Sequence, residues 1–495
     1  MRKRKLILNT STSLISQIIT IICGFILPKL FLQYYGSVVN GVVSSITQFL
    51  GFIAFLELGV GAVVQSSLYK PLADKNNEQI SKIIKSADNF FKKIAYILCG
   101  YTILLALVYP VITINEFNYL YTLLLILIIS ISSFLQYYFG IKYQLLLNAD
   151  QKSYVQLTIQ IITILLNTIV TVVLIKAGTS IHMVKLVTSL IFMLRPLILY
   201  LYVKKNYKID RNIELIDEPI KQKWNGLAQH VAAVVLGNTD IVVLTFFSSL
   251  ENVSVYTVYS LVVVGVKQII MSITTGMSAL FGNMLAKNEK KLLISAFEKV
   301  EIMIHFLVIV IFTCTAMLIV PFVKVYTEGI TDVNYIVPTF AILITLAQAS
   351  YCLRLPYNIM VLAAGHYKQT QTSAIIEMFL NIGISLVAVI KFGLVGVALG
   401  TLVAMTYRTL YLVNYLRNNI INRSLKYFIK HMLIDVVIIV LSIILCQNIN
   451  FQISNYIEWI VLAVKVTAIV LITGSIMNFI GYYKFIIRRF VKIRK

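Results

Sequence analysis

Charge is what this sequence has least of. Asp, Glu, Lys and Arg make up 13% of its 495 residues, against 59% hydrophobic residues. That leaves too few charges to cover a water-soluble surface and more apolar material than a soluble chain of this length buries. Cysteine is sparse too. Cys23, Cys99, Cys314, Cys352 and Cys446 lie far apart in apolar runs, with neither metal spacing nor a disulfide framework. Long polar segments are missing: no connector much exceeds about 25 residues, and no Gly-rich phosphate loop is present. A nucleotide-binding module, and with it ATP hydrolysis within the chain, is excluded.

Apolar runs are abundant. Runs of about 18 residues or more, each able to cross a hydrocarbon core of about 30 Å, fall near 7–32, 40–67, 94–115, 118–140, 153–176, 181–203, 224–247, 253–285, 300–324, 335–363, 367–391, 395–416, 431–449 and 457–483. The expected fold is an all-α polytopic membrane protein of about 14 transmembrane helices. The first run is too long for a signal-peptide core and no small-residue cleavage site follows it, so it is read as a retained helix.

Acid is scarcer than base, 20 residues against 43, for a net charge of +23. Such an excess suggests nucleic acid until its distribution is read. Of the 43 basic residues, 33 lie in alternate connectors and the two ends, and the opposite connectors hold almost none. This is the positive-inside pattern; it puts both termini in the cytoplasm and makes the anionic leaflet, not nucleic acid, the partner of the basic excess.

The chain repeats itself. The stretch 39–94 runs from an apolar helix through a lysine-rich connector, with Leu72-Ala73-Asp74-Lys75-Asn76, into the next apolar run. Leu285-Ala286-Lys287-Asn288 returns at the same place in a second copy. At an offset near 214, Tyr143 meets Tyr357, Ala149 meets Ala363, Asn167 meets Asn381, Ile175-Lys176-Ala177-Gly178 meets Ile390-Lys391-Phe392-Gly393, and Arg195 meets Arg408. With six spans between equivalent points, the copies are parallel and related by a pseudo-two-fold axis along the membrane normal. The domains read from this are a six-helix bundle over 1–205, a cytoplasmic linker over 206–223, a second bundle over 224–418, and an added helix pair with a basic tail over 419–495.

A charge at mid-bilayer costs roughly 2.5–3.5 kcal/mol on insertion scales, so each is expected to face a partner or a wet cavity. Lys29, Lys267 and Arg354 are candidate cationic contacts for an anionic substrate; an internal salt bridge, for Lys267 with Glu57, is the alternative. Arg195 and Arg408 lie nearer the helix ends and either join that set or snorkel. Glu57, Asp240 and Glu377 are candidates for gating ion pairs or for carrying a coupling proton or sodium ion, with a Lys29–Asp240 pair as a gate. His230 and His305 read as satisfied helix-end residues, and Asn167, Asn238 and Asn381 as interhelical hydrogen-bonders. Pro28 and Pro356 read as hinges. No catalytic residue, metal ligand or cofactor site emerges. A membrane polymerase would need an acid or base in a sizeable outer loop, whereas Glu116, Glu328 and Asp332 are scattered over short ones.

Phe31-Leu32-Gln33-Tyr34-Tyr35-Gly36, Asn40-Gly41, Phe55-Leu56-Glu57-Leu58-Gly59-Val60-Gly61, and Asn238-Thr239-Asp240-Ile241-Val242-Val243-Leu244 followed by Val253-Ser254-Val255-Tyr256 resemble bacterial polysaccharide flippases of the Wzx type. These belong to the multidrug/oligosaccharidyl-lipid/polysaccharide exporter superfamily. The resemblance implies a V-shaped pair of six-helix bundles in the bacterial cell membrane. It implies movement of oligosaccharide repeat units on undecaprenyl pyrophosphate from the inner to the outer leaflet by alternating access, for capsule, exopolysaccharide or O-antigen assembly. Proton or sodium coupling and polysaccharide assembly proteins as partners follow from the same likeness. The alternative is a multidrug exporter of the same superfamily, whose acid-dominated cavity suits organic cations.

Overall fold

The computed structural model describes residues 2–57, 60–210, 213, 227–274, 277–449, 451 and 453–493. They are helical nearly throughout, with no strand among them. Twelve helices are long and apolar enough to cross a membrane. Two of these are double. Arg2–Gly51 carries Gly36 at φ 81° and Tyr367–Leu416 carries Gly393 at φ 51°, and at each the backbone leaves helical geometry and divides the run into two arms. Counted by arms, the fourteen expected spans are present.

The chain forms two compact units, 1–246 and 247–495. The division falls one helix later than the expected linker over 206–223. Most of that linker, with Glu214, Asp217, Glu218, Pro219, Lys221 and Lys223, lies outside the described residues, as do Gly59 and Gly276.

Unit one contains α1 (Arg2–Gly51), α2 (Ala54–Glu57), α3 (Val60–Ala73), α4 (Asn77–Ile112), α5 (Tyr119–Leu135), a π turn (Gln136–Gly140), α6 (Ile141–Ala149), α7 (Ser153–Lys176), α8 (Ile181–Asn206) and α9 (Leu227–Phe247). Starts are set by side-chain caps. Asn76 accepts from the Gln79 amide at 3.0 Å at the head of α4, and Ser180 accepts from Met183 at 3.4 Å at the head of α8. The lysine-rich stretch before residue 94 is therefore no loose connector. It is the amphipathic first half of α4, burying Ile80, Ile83, Ile84, Ala87 and Phe91.

Unit two contains α10 (Leu250–Thr274), α11 (Met277–Ala286), α12 (Lys290–Tyr326), α13 (Pro338–Leu353), α14 (Leu355–Ala363), α15 (Tyr367–Leu416), a π turn (Arg417–Ile421), α16 (Lys426–Cys446) and α17 (Tyr456–Ile493). The described residues of the eighth expected span, 253–285, lie in α10 and α11. The break between α13 and α14 at Arg354 has a local cause: Pro356 offers no amide and its ring crowds the preceding turn. The arms of α15 fold back on each other as a hairpin. Asn381 Nδ2 donates to Thr401 Oγ1 at 3.0 Å across it. Gly400 lets the arms approach: a Cβ there would stand 2.8 Å from the Ser385 amide nitrogen. The added pair α16–α17 belongs to the same compact unit and packs on α12, where Trp459 Nε1 donates to the Leu318 carbonyl at 3.2 Å and Gly474 faces Val310 and Phe306.

The repeat shows in the backbone as well as in the residues. Left-handed residues recur in register: Lys75 and Asn288, Gln151 and Gly365, Gly178 and Gly393. The fourth helix of each copy is irregular at one place, the π turn ending at Gly140 and the break at Arg354. A helix that leaves the i→i+4 ladder at matched points in two copies is a designed irregularity rather than an accident of one sequence.

Candidate functional site

In unit two, four of the charged residues singled out by sequence come together. Lys267 comes from the middle of α10, Arg354 from the break between α13 and α14, Glu377 from the first arm of α15 and Arg408 from its second arm. Arg354 Nη1 donates to Glu377 Oε1, and Arg408 Nε lies 3.9 Å from Glu377 Oε2. Arg408 Nη1 also donates to the Thr370 carbonyl at 2.9 Å and to Ser373 Oγ. Arg408 is 4% exposed and Arg354 8%. Arg408 therefore does not snorkel; it is buried and clasps the two arms of α15. The link is consistent with the hairpin, which brings positions 31 residues apart onto facing surfaces.

Tyr351, one turn before Arg354 on the same helix face, organises the cations. The Arg354 guanidinium carbon lies 4.3 Å from its ring centroid and Lys267 Nζ lies 4.8 Å from it. Among the described residues no carboxylate pairs with Lys267. The cluster thus holds three cations and one anion within membrane-spanning helices. Two positive charges in excess, one of them held only by an aromatic face, form a site with an unmet demand for negative charge. Tyr351 was not singled out by sequence; its place three residues before a buried arginine is the signal that would have found it.

In unit one the geometry is milder. Arg195 Nε donates to Thr163 Oγ1 at 2.6 Å, and its guanidinium stacks on Phe192 at 4.3 Å. Thr163 and Glu377 are repeat equivalents, so Arg195 meets a hydroxyl where Arg408 meets a carboxylate. A cavity of about 420 Å³ is lined by Thr47, Ser132, Ser133, Lys185, Thr188 and Ser189 among others. Lys185 Nζ lies 4.2 Å from the Phe31 ring centroid. Lys185 lies within a span but was not counted as a site residue by sequence.

Lys29 is half-buried in the first arm of α1, and Asp240 is buried, 4% exposed, in α9. Glu57 ends α2 and its side chain lies outside the described residues. His230 is an exposed residue near the start of α9. His305 departs from expectation. It sits mid-helix in α12, 2% exposed, with Nδ1 2.6 Å from Asp435 Oδ2 of the added pair. One turn earlier Glu301, wholly buried, accepts from Tyr357 Oη at 2.6 Å and Arg423 at 2.5 Å and lies 3.1 Å from His431 Nε2. Sequence reading missed this network because its partners lie some 50 to 130 residues away.

No family model matches this sequence, and no curated protein matches it. Solved structures do. The lipid II flippase MurJ in an inward closed conformation superposes with a TM-score of 0.73 at 18% identity, over 97% of this chain and 100% of that one. An inward-facing multidrug resistance MATE family transporter of the MOP superfamily gives 0.60 at 13% identity, over 81% of this chain and 94% of that one. A variant of the Vibrio cholerae MATE transporter VcmN gives 0.60 at 13% identity, over 86% and 98%. This chain has the fold shared by the lipid II flippase and the MATE transporters.

Proposed function

We propose that this protein is a flippase for lipid-linked oligosaccharides, carrying undecaprenyl-diphosphate-linked repeat units from the inner to the outer leaflet by alternating access, for a capsular, exopolysaccharide or O-antigen pathway. The observation that carries the reading is the cluster on Tyr351. A diphosphate brings the negative charge that Lys267, Arg354 and Arg408 hold in excess over Glu377. Lys267 is the first contact, since its charge is matched only by the aromatic ring. Arg354 follows by exchanging Glu377 for a phosphate oxygen, an exchange between two anionic acceptors suited to a guanidinium fork.

Drug export is the competing reading, and the sign of the charge separates the two. An organic cation would be repelled by two surplus positive charges, where a diphosphate is attracted. Ion coupling is part of the proposal. Asp240, buried in α9, and Glu377, released by Arg354 in its exchange for a phosphate oxygen, are the candidate carriers of a proton or sodium ion. The test is a leaflet-transfer assay in proteoliposomes with a defined diphosphate-linked oligosaccharide, run beside efflux of an organic cation, with and without an ion gradient. Transfer of the glycolipid and no cation efflux is expected; the reverse overturns the reading.

A further inference from the structure

Glu301, His305, Tyr357, His431, Asp435 and Tyr482 form one hydrogen-bonded chain across α12, α14, α16 and α17. Donors and acceptors along it balance except at one ring nitrogen. Glu301 is saturated. Tyr357 Oη donates to its Oε1 at 2.6 Å, Arg423 Nη2 donates to the same oxygen at 2.5 Å, and His431 Nε2 donates to its Oε2 at 3.1 Å. His431 is satisfied as a neutral ring: its Nε2 hydrogen goes to Glu301 and its Nδ1 accepts from Tyr482 Oη. His305 is not. Its Nδ1 donates to Asp435 Oδ2 at 2.6 Å, since a carboxylate only accepts. Its Nε2 faces Tyr357 Oη at 3.5 Å, but the hydrogen of that hydroxyl goes to Glu301. A neutral His305 therefore sets lone pair against lone pair. A protonated one donates to Tyr357 and faces Asp435 as its counter-ion.

Asp435 makes the same demand from the other side. It is buried, and among the described residues His305 is its one ion-pair partner. The cations nearby are committed elsewhere. Arg423 answers Glu301 and, at longer range, Glu298; Lys430 lies over the Tyr482 ring; Lys267 and Arg354 lie over Tyr351. α14 brings Tyr357 to the site, and α13 brings the thiol of Cys352 to the same packed layer of α12. α17 runs antiparallel to α16, with Gly481 beside Ile434 and Gly474 beside Ile438. The stretch opposite Asp435 is thus Gly474 to Tyr482, which carries no charged residue. An ionised carboxylate taken out of water beside a neutral ring is costly, and one proton on the pair removes that cost. A second is disfavoured, because the His431 ring stacks on His305 with centroids 4.9 Å apart and two imidazolium ions repel.

We propose that His305, with Asp435 as its counter-ion, binds one exchangeable proton inside the membrane-spanning helices of unit two. The proton comes from water, bonds to Nε2 and leaves from it. The site is distinct from Asp240 and Glu377. It lies on the seam between α12 and the added pair, so gain or loss of the proton switches the His305–Asp435 contact between an ion pair and a neutral-donor hydrogen bond. Ionisable chains within membrane helices serve as proton relays. Use of this proton to drive transfer rests on the flippase reading; its binding does not.

The experiment is nitrogen-15 magnetic resonance of the full-length protein in lipid vesicles, labelled only at its 5 histidines, from about pH 5 to about pH 8. His305→Gln identifies the signal. Wild-type His305 is expected to have both ring nitrogens protonated at the acid end and one at the alkaline end, with His431 singly protonated throughout. In Asp435→Asn, His305 stays singly protonated at every pH. Should His305→Gln fail to fold, the triple variant His182→Gln/His230→Gln/His366→Gln, changed outside the network, leaves two rings in the spectrum, of which one titrates. A wild-type His305 fixed in one protonation state over the whole range overturns the site, as does an unchanged titration in Asp435→Asn. Transfer of a diphosphate-linked oligosaccharide is then measured in the same vesicles with and without a pH gradient. The gradient is expected to speed transfer in wild type and to have no effect in Asp435→Asn. Equal stimulation of both overturns the use of this proton in transport. A titrating His305 in a wild type that transfers nothing overturns the flippase reading and leaves the proton site standing.

Discussion

Arg354 donates to Glu377 from the single residue that separates α13 from α14. Arg354 keeps its own place in the ladder, donating to the Ser350 carbonyl at 3.3 Å and accepting from the Asn358 amide at 2.9 Å. The missing bond is the one that Pro356, without an amide, cannot make, and Arg354 reaches across to α15 beside that gap.

Lys267→Ala and Arg354→Ala should therefore differ. Among the described residues Lys267 makes no ion pair, so its loss should lower Tm far less than the loss of Arg354, while abolishing transfer. Removing Arg354 strands Glu377 with only Arg408 at 3.9 Å, and breaking a buried pair costs roughly 3–5 kcal/mol. The double variant Arg354→Ala/Glu377→Ala should regain much of the melting temperature and none of the transfer. Paired melting and transfer assays check this.

Glu301 anchors the added helix pair. Glu301→Ala should destabilise by roughly 3–5 kcal/mol, because Arg423 loses its acceptor inside the protein. Limited proteolysis should then cut between α15 and α16 in the variant well before wild type. Glu301→Gln keeps an acceptor for Tyr357 and should lie between the two.

Gly400 sets the α15 hairpin. Gly400→Leu drives a branched side chain into Ser385 of the facing arm and should cost roughly 1–3 kcal/mol by overpacking. As the same hairpin carries Glu377 and Arg408, transfer should fall with it, and melting curves separate the two effects.

In the turn between α6 and α7, Asp150 is hydrogen-bonded by Tyr207 Oη at 2.6 Å and lies 2.8 Å from Lys152 Nζ and 3.3 Å from Lys5 Nζ. Burial opposes its ionisation, but the bonds from Lys152 and Tyr207 and the two ammonium charges outweigh burial and hold its carboxyl below the usual range. A depressed folded value stabilises above the unfolded value, near 3.9, and the contribution is lost as pH falls through the folded value. Asp150→Asn should lower Tm at neutral pH and flatten its fall in acid, measured by melting from pH 7 down to about pH 3.

Much of this was legible in the sequence. Lipid leaves only helices to span it, so fourteen apolar runs appear as fourteen helical arms, and the Gly178/Gly393 match marks real turns in both copies. The in-span cations were visible because each violates the apolar pattern. Their grouping was not. Arg408 meets Glu377 only because α15 doubles back, and Lys267 meets Arg354 over Tyr351 only because α10 packs beside α13; a period of 3.6 residues says nothing about either. The Glu301–His431 contact was hidden for the same reason, and His305 was misread as a helix-end residue because its partner Asp435 lies on a helix with no counterpart in the repeat. The break after Gly51 was hidden too, since the apolar Phe52, Ile53 and Ala54 run straight through it.

The most direct test compares cargo on diphosphate and monophosphate carriers in the same proteoliposomes, for wild type and Lys267→Gln. The account predicts that wild type prefers the diphosphate and that Lys267→Gln loses most of the preference while melting normally. An unchanged preference in Lys267→Gln, or none in wild type, would contradict it.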